Sequence, residues 1–158
     1  MKIKNIRVDE RLIHGQVASV WTNYLGCTRI IVANDLVIKN EMEISLLKMA
    51  CPAGVKLSLL SVSKAVANIN EGKYESDNVF LIFRNVSDAR RAIDEGLAAD
   101  VVNLGNVSHK PGGEKIKNTV SLQPLEIEDI KAMIEKGVKV TARMIPNHSE
   151  DDVAAYLK

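Results

Sequence analysis

The sequence predicts an α/β fold: an open, mainly parallel twisted sheet with helices on both faces. Three observations carry that expectation. Short β-rich runs alternate with stretches of helical periodicity, the order that builds βαβ units with right-handed crossovers. Two of the runs, RIIVA at 29–33 and NVFLIF at 78–83, are near-continuous in apolar residues, as strands covered on both faces must be. Most of the helical stretches open on Asn or Ser, and two of them close on Gly, matching the cap chemistry of helix ends.

The elements follow in order. In IKNIRV (3–8), Ile3, Ile6 and Val8 sit in a strand-like setting. Val17, Val20, Trp21 and Leu25 then recur near i, i+3, i+4 and i+8, the buried stripe of an amphipathic helix. After RIIVA, Asn40 with Glu43 resembles a capping box ahead of Ile44, Leu47 and Ala50. Met42, Leu46, Leu47 and Met49 are expected in the core. VKLSLL (55–60) is the next strand, and Ser61 or Ser63 caps a helix carrying Ala65, Val66 and Ile69. NVFLIF leads to a Ser87-capped helix ending at Gly96. VVNL (101–104) runs into a polar loop, GNVSHKPGGEK (105–115), followed by a short strand near KNTVSL (117–122). A helix over 126–136 closes on Gly137, and VKVTARMI (138–145) is a last strand stopped by Pro146. Ser149 caps a final helix through Tyr156. No repeat, low-complexity tract or linker intervenes, so residues 1–158 read as one domain.

Composition excludes several classes. Hydrophobic residues make up 46% and charged residues 26%, the balance of a globular chain rather than a disordered one. Lys and Arg number 21 against 20 Asp and Glu, and aromatics are 4%, so no nucleic-acid partner is expected. Cys27 and Cys51 lack CxxC spacing and read as two buried thiols in a reducing, cytoplasmic setting. No apolar run approaches the ~18 residues of a membrane span, and MKIKNIRV lacks a signal-peptide core. His14, His109 and His148 are too scattered for metal-ligand spacing, and neither a metal nor a cofactor is expected. Gly-rich nucleotide signatures and a G-x-S-x-G elbow are absent.

The reactive-looking stretch is RVDERLIHGQV (7–17), at the join of the first strand and first helix. In open α/β sheets the functional crevice lies beyond the carboxyl ends of the strands. His14 there adjoins a helix N-terminus, whose free N–H groups and dipole favour anions. A neutral imidazole offers a lone pair to phosphorus, and Arg11 is a forked donor suited to phosphoryl oxygens. Gly15 permits close backbone approach, and Gln16 adds an amide donor. Asp9 either accepts the other imidazole N–H or pairs with Arg11. The same residues would also serve a small enzyme using His14 as general acid or base, or an anion-binding module. Arg84, His109 and Lys110 each end a strand or follow one, where they face a crevice or merely cap and solvate a turn.

RVDERLIHGQV resembles the active-site segment of the IIB proteins of the mannose/fructose/sorbose family of the bacterial sugar phosphotransferase system. IIVANDLV (30–37), PAGVKLSLLSV (52–62) and VNLGNV (102–107) resemble that family in the same order, so the likeness spans essentially the whole chain. It implies a phosphotransferase acting as a phosphocarrier: a IIA protein or domain donates to His14, and the group passes to sugar as the IIC and IID membrane subunits translocate it. It further implies Arg11 as phosphate stabiliser, with Asp9 and Gln16 as flanking polar positions and Arg7 as a further phosphate contact. A cytoplasmic protein joined to the membrane through partners is implied, as is an antiparallel strand towards the C-terminal edge. Assembly into a homo-oligomer is compatible with the sequence, and the 105–115 loop carries no assigned site residue.

Overall fold

The structure is a computed structural model describing residues 2–157. Its strands are β1 (Lys2–Asp9), β2 (Arg29–Ala33), β3 (Lys56–Leu60), β4 (Asn78–Phe83), β5 (Val101–Asn106), β6 (Glu114–Lys117), β7 (Val120–Leu122), β8 (Lys139–Ala142) and β9 (Asp151–Asp152). The helices are α1 (Gly15–Leu25), α2 (Glu41–Ala50), α3 (Val62–Asn70), α4 (Val86–Asp94) and α5 (Pro124–Glu135). Seven strands form one sheet in the order β3-β2-β4-β1-β5-β8-β9, parallel except that β9 runs antiparallel to β8 at the edge. The antiparallel edge and the helices on both faces are as the sequence leads one to expect.

Alternation along the central strand explains the two-sided core. Val79, Leu81 and Phe83 of β4 enter a cluster with residues of α3, α4 and α5, while Phe80 and Ile82 face Trp21 of α1 and Leu47 of α2. Burying each such Val, Leu, Ile or Phe side chain contributes roughly 1.5–3 kcal/mol. The β1 and β5 ends, Asp9 and Asn106, lie side by side in parallel register, which brings the loops after them together.

Several local expectations are corrected. Met42, Leu46 and Met49 are not core: they are 74%, 56% and 82% exposed, and only Leu47 of that set is buried. Their i, i+4, i+7 spacing puts all three on the outer face of α2, which no further layer covers. Helix α4 is capped by Asn85, whose side chain accepts from the Asp88 N–H, because the chain turns into helix directly after β4. Ser149 caps no helix. Residues Asp151 and Asp152 instead pair with Ala142 and Thr141, and Asp152 caps a short 3₁₀ turn, Val153–Tyr156. The last long strand stops at Ala142, and β6 begins at Glu114, inside the segment expected to be loop. Cys27 is buried, which pushes its thiol up to about 11, whereas Cys51 is only half-buried.

Candidate functional site

The loop after β1 is shaped by two buried anchors. The Leu12 N–H donates to the Asp9 carbonyl at 3.0 Å, and Leu12 adopts φ +56° while its side chain stays in the core. A bulky residue in the left-handed region carries strain of about 1–3 kcal/mol, held here by the burial of Leu12 and Ile13. These two residues pin the loop so that His14, in extended conformation, stands at the N-cap of α1. Its side chain gives no capping hydrogen bond, and exposed Gly15 (φ +47°) and Gln16 begin the helix beside it.

The imidazole of His14 is 15% exposed, and neither ring nitrogen has a hydrogen-bond partner among the described residues. Both nitrogens are covered, so the ring presents its carbon edge to solvent. Burial holds its pKa below the ordinary histidine value; the Asp9 carboxylate and the nearby Leu12 backbone, which lies outside good hydrogen-bond geometry, oppose that shift, and the Arg11 and Arg7 charges add to it. A neutral ring, one nitrogen carrying its hydrogen and the other an available lone pair, is therefore the resting form near neutral pH.

Asp9 resolves differently from either sequence alternative. Its Oδ2 accepts from Arg7 Nε and Nη2 at 3.3 and 3.2 Å, and its Oδ1 accepts the Arg11 backbone N–H at 2.9 Å. His14 Nδ1 stands 4.0 Å from Oδ1, too far for a hydrogen bond. Arg7, not Arg11, is the ion-pair partner. Arg7 is 2% exposed and spends its remaining donors on Asn103 Oδ1 (2.8 Å), the Arg143 carbonyl (3.0 Å) and the Met144 carbonyl (2.9 Å). A Cβ on Gly105 would overlap this guanidinium, so glycine there is the condition for Arg7 to pass. By contrast the Arg11 side chain is exposed and makes no hydrogen bond or ion pair among the described residues.

The neighbouring loop braces this one. Glu10 accepts from Ser108 Oγ at 2.6 Å and from Lys110 Nζ at 2.7 Å, and its backbone N–H donates to the Asn106 carbonyl. His109 is exposed, and Arg84 turns to Glu43 of α2 at 2.8 Å. Sequence reasoning missed Asn103, Gly105 and the Glu10 brace; the polar Asn103 inside an otherwise apolar strand was the available signal. Among the described residues no three His, Cys, Asp or Glu side chains cluster as metal ligands would, and no helix is long and apolar enough to cross a membrane.

Comparison with known proteins decides the family. Residues 3–158 match the family model described as the PTS system sorbose subfamily IIB component. The chain belongs to that family. A sorbose-specific EIIB component of Klebsiella pneumoniae is 35% identical over 92% of this chain and 88% of its own length. The fructose-specific EIIB component of Bacillus subtilis (strain 168) is 32% identical over 100% and 97%. The mannose-specific EIIAB component of Escherichia coli (strain K12) is 34% identical, and the chain spans 45% of that longer relative. In three dimensions the crystal structure of the Klebsiella pneumoniae IIBSor domain superposes with a TM-score of 0.92, 33% identity, and coverage of 98% of this chain and 95% of that one. As a sorbose-type IIB component, the protein is of a phosphotransferase family serving sugar transport.

Proposed function

We propose that His14 is the phosphoryl carrier: it accepts the group from a phosphohistidine on a IIA protein or domain and passes it to a sugar during uptake through IIC and IID membrane subunits. The observation that carries this reading is the pairing, at one helix N-terminus, of a neutral imidazole without hydrogen-bond partners and a guanidinium without a partner. A ring nitrogen of His14 attacks phosphorus, and the bond to the donor nitrogen breaks with its electron pair. Arg11 and the first N–H groups of α1, beside Gly15 and Gln16, take the charge on the equatorial oxygens. Because both nitrogens are covered, the ring turns outward when the donor docks. In the second step the sugar hydroxyl oxygen attacks phosphorus and gives up its proton to solvent, while the P–N bond breaks and its electron pair returns to His14.

Arg7 and Asp9 have no free valence for phosphate in this scheme. Asp9 fixes the loop through the Arg11 N–H and lends the ring its nearest negative charge, and Arg7 holds Asp9. Phosphorylation adds about −1.5 to −2 charges beside α1, which changes the partner that fits the site. The reaction sets the protein on the cytoplasmic side, where the donor is charged. The relative named EIIAB supports a IIA partner, since its name joins A and B parts in one chain. The test is incubation with phosphoenolpyruvate, the general phosphotransfer proteins and IIA, with the mass of one phosphoryl group sought on the peptide containing His14.

A further inference from the structure

The carrier reading leaves several clefts of similar size unused, and one of them has an arginine in its lining. It opens between the turn joining β6 to β7 and the segment after β8, with a volume of about 370 Å³. Ligand sites for small molecules fall in the range of roughly 300–1,000 Å³. Lys117, Asn118 and Thr119 come from the first side, and Arg143, His148 and Ser149 from the second.

The lining chemistry selects an oxyanion that also carries hydroxyls. Arg143 is held in place: its Cζ lies 5.5 Å from the Trp21 ring and 5.6 Å from the Tyr24 ring, and Nη2 donates to the Pro146 carbonyl. Its Nε is buried and has no acceptor among the described residues. A buried guanidinium N–H without an acceptor is costly, and a small shift of the side chain that brings it to a ligand oxygen removes that cost. Lys117 is paired with Asp151, so that carboxylate is neutralised. Glu150, the next acid along, accepts from Thr141 and lines a different cleft beside Ile3 and Asp100. Arg143 is thus the lining cation without a carboxylate partner, and the Asn118 amide stands beside it; the Thr119 and Ser149 hydroxyls donate to the Gly105 carbonyl and to Asp151, which leaves their lone pairs to accept from ligand hydroxyls. A bare phosphate would fill little of this volume.

We propose that this cleft binds a phosphate monoester of a polyol, with the phosphate on Arg143 and the hydroxyls on the Asn118, Thr119 and Ser149 side. The site is separate from His14, since the buried Arg7–Asp9 pair lies between them: Arg7 bonds the carbonyls of Arg143 and Met144 on one side and Asp9 on the other. The inference stands apart from the carrier reading.

Trp21, the single tryptophan, reports on the cleft because it lies under Arg143 and donates to the Met144 carbonyl at 2.8 Å. The experiment titrates the whole protein with a hexose 6-phosphate, following Trp21 emission and backbone amide shifts. Saturable shifts confined to residues 117–119 and 143–149 are expected, with competition by inorganic phosphate and no response to the free hexose. Arg143→Gln and, separately, Asn118→Asp on the exposed turn weaken binding at least tenfold, with folding checked by circular dichroism. His14→Gln leaves it unchanged. Shifts clustering at residues 9–16, loss of binding in His14→Gln, equal binding of the free hexose, no competition by phosphate, or no response at all each overturn the proposal. So does undiminished binding in both cleft variants.

Discussion

Arg7 and Asp9 form an ion pair inside the protein, Nη2 to Oδ2 at 3.2 Å, with side chains only 2% and 1% exposed. The pair ties the end of β1 to Asn103 of β5 and to the segment after β8, and so holds the His14 loop to two distant parts of the chain. Replacing Arg7 with Met leaves a buried carboxylate without its cation, a change that costs about 3–5 kcal/mol when a buried pair is broken from one side. Urea unfolding of Arg7→Met, Asp9→Asn and the double variant measures it. The double variant is expected to be less destabilised than the sum of the singles; strict additivity would show that the two do not act as a pair.

Gly105 is coupled to the same pair. An alanine Cβ there overlaps the guanidinium, whose donors are all committed, so Arg7 cannot simply swing aside. Gly105→Ala is expected to lose about 1–3 kcal/mol, in line with overpacking of a well-filled interior. A melting temperature equal to that of the parent protein would mean that Arg7 has room to move.

Arg11 has a different job, and a substitution separates it from stability. Its side chain is exposed and unpaired, so Arg11→Lys should leave unfolding unchanged. Phosphoryl transfer should slow, by as much as about 10²-fold if the fork rather than the charge is what counts. Rapid-quench measurement of transfer from IIA decides, and an unaltered rate removes Arg11 from the chemistry.

The His14 ring titrates below an ordinary histidine, chiefly through burial. The unfolded chain therefore holds this proton more tightly than the folded one. The resulting stability is fully present above the unfolded value of about 6.5 and is lost as pH falls towards the folded value, below which it changes no further. Ring-carbon NMR of His14 should give a midpoint below the ordinary histidine value of about 6.5, and His14→Gln should flatten this part of the stability profile. A midpoint at or above that ordinary value would contradict the burial seen here.

Much of the fold was legible because its signals are local. RIIVA and NVFLIF announce strands buried on both faces, and the Asn40–Glu43 spacing announces the start of α2, where Asn40 does accept from the Glu43 N–H. His14 at a helix start is equally local, as is the exposed Gly15–Gln16 step. The Asn85 cap of α4 was a local miss, two residues from the Ser87 expected; the larger misses depend on distant partners. Arg7 looks available for phosphate until Asn103, 96 residues away, and the carbonyls of Arg143 and Met144 converge on it. Asp9 then has its cation, so the Arg11 pairing disappears. Met42, Leu46 and Met49 carry a sound apolar period, but periodicity says which residues share a face and not whether another layer covers it. The antiparallel edge was expected only through the family resemblance, since a strand of two residues is too short to leave a pattern of its own.

The central claim is tested most directly by following the phosphoryl group itself. Parent protein and His14→Gln are charged from phosphoenolpyruvate through the general proteins and IIA, then digested and weighed. One acid-labile phosphoryl group per chain on the peptide containing His14, absent from the folded His14→Gln variant, is the predicted result. Stoichiometric label on the variant, or label on His109 or His148 instead, would contradict it.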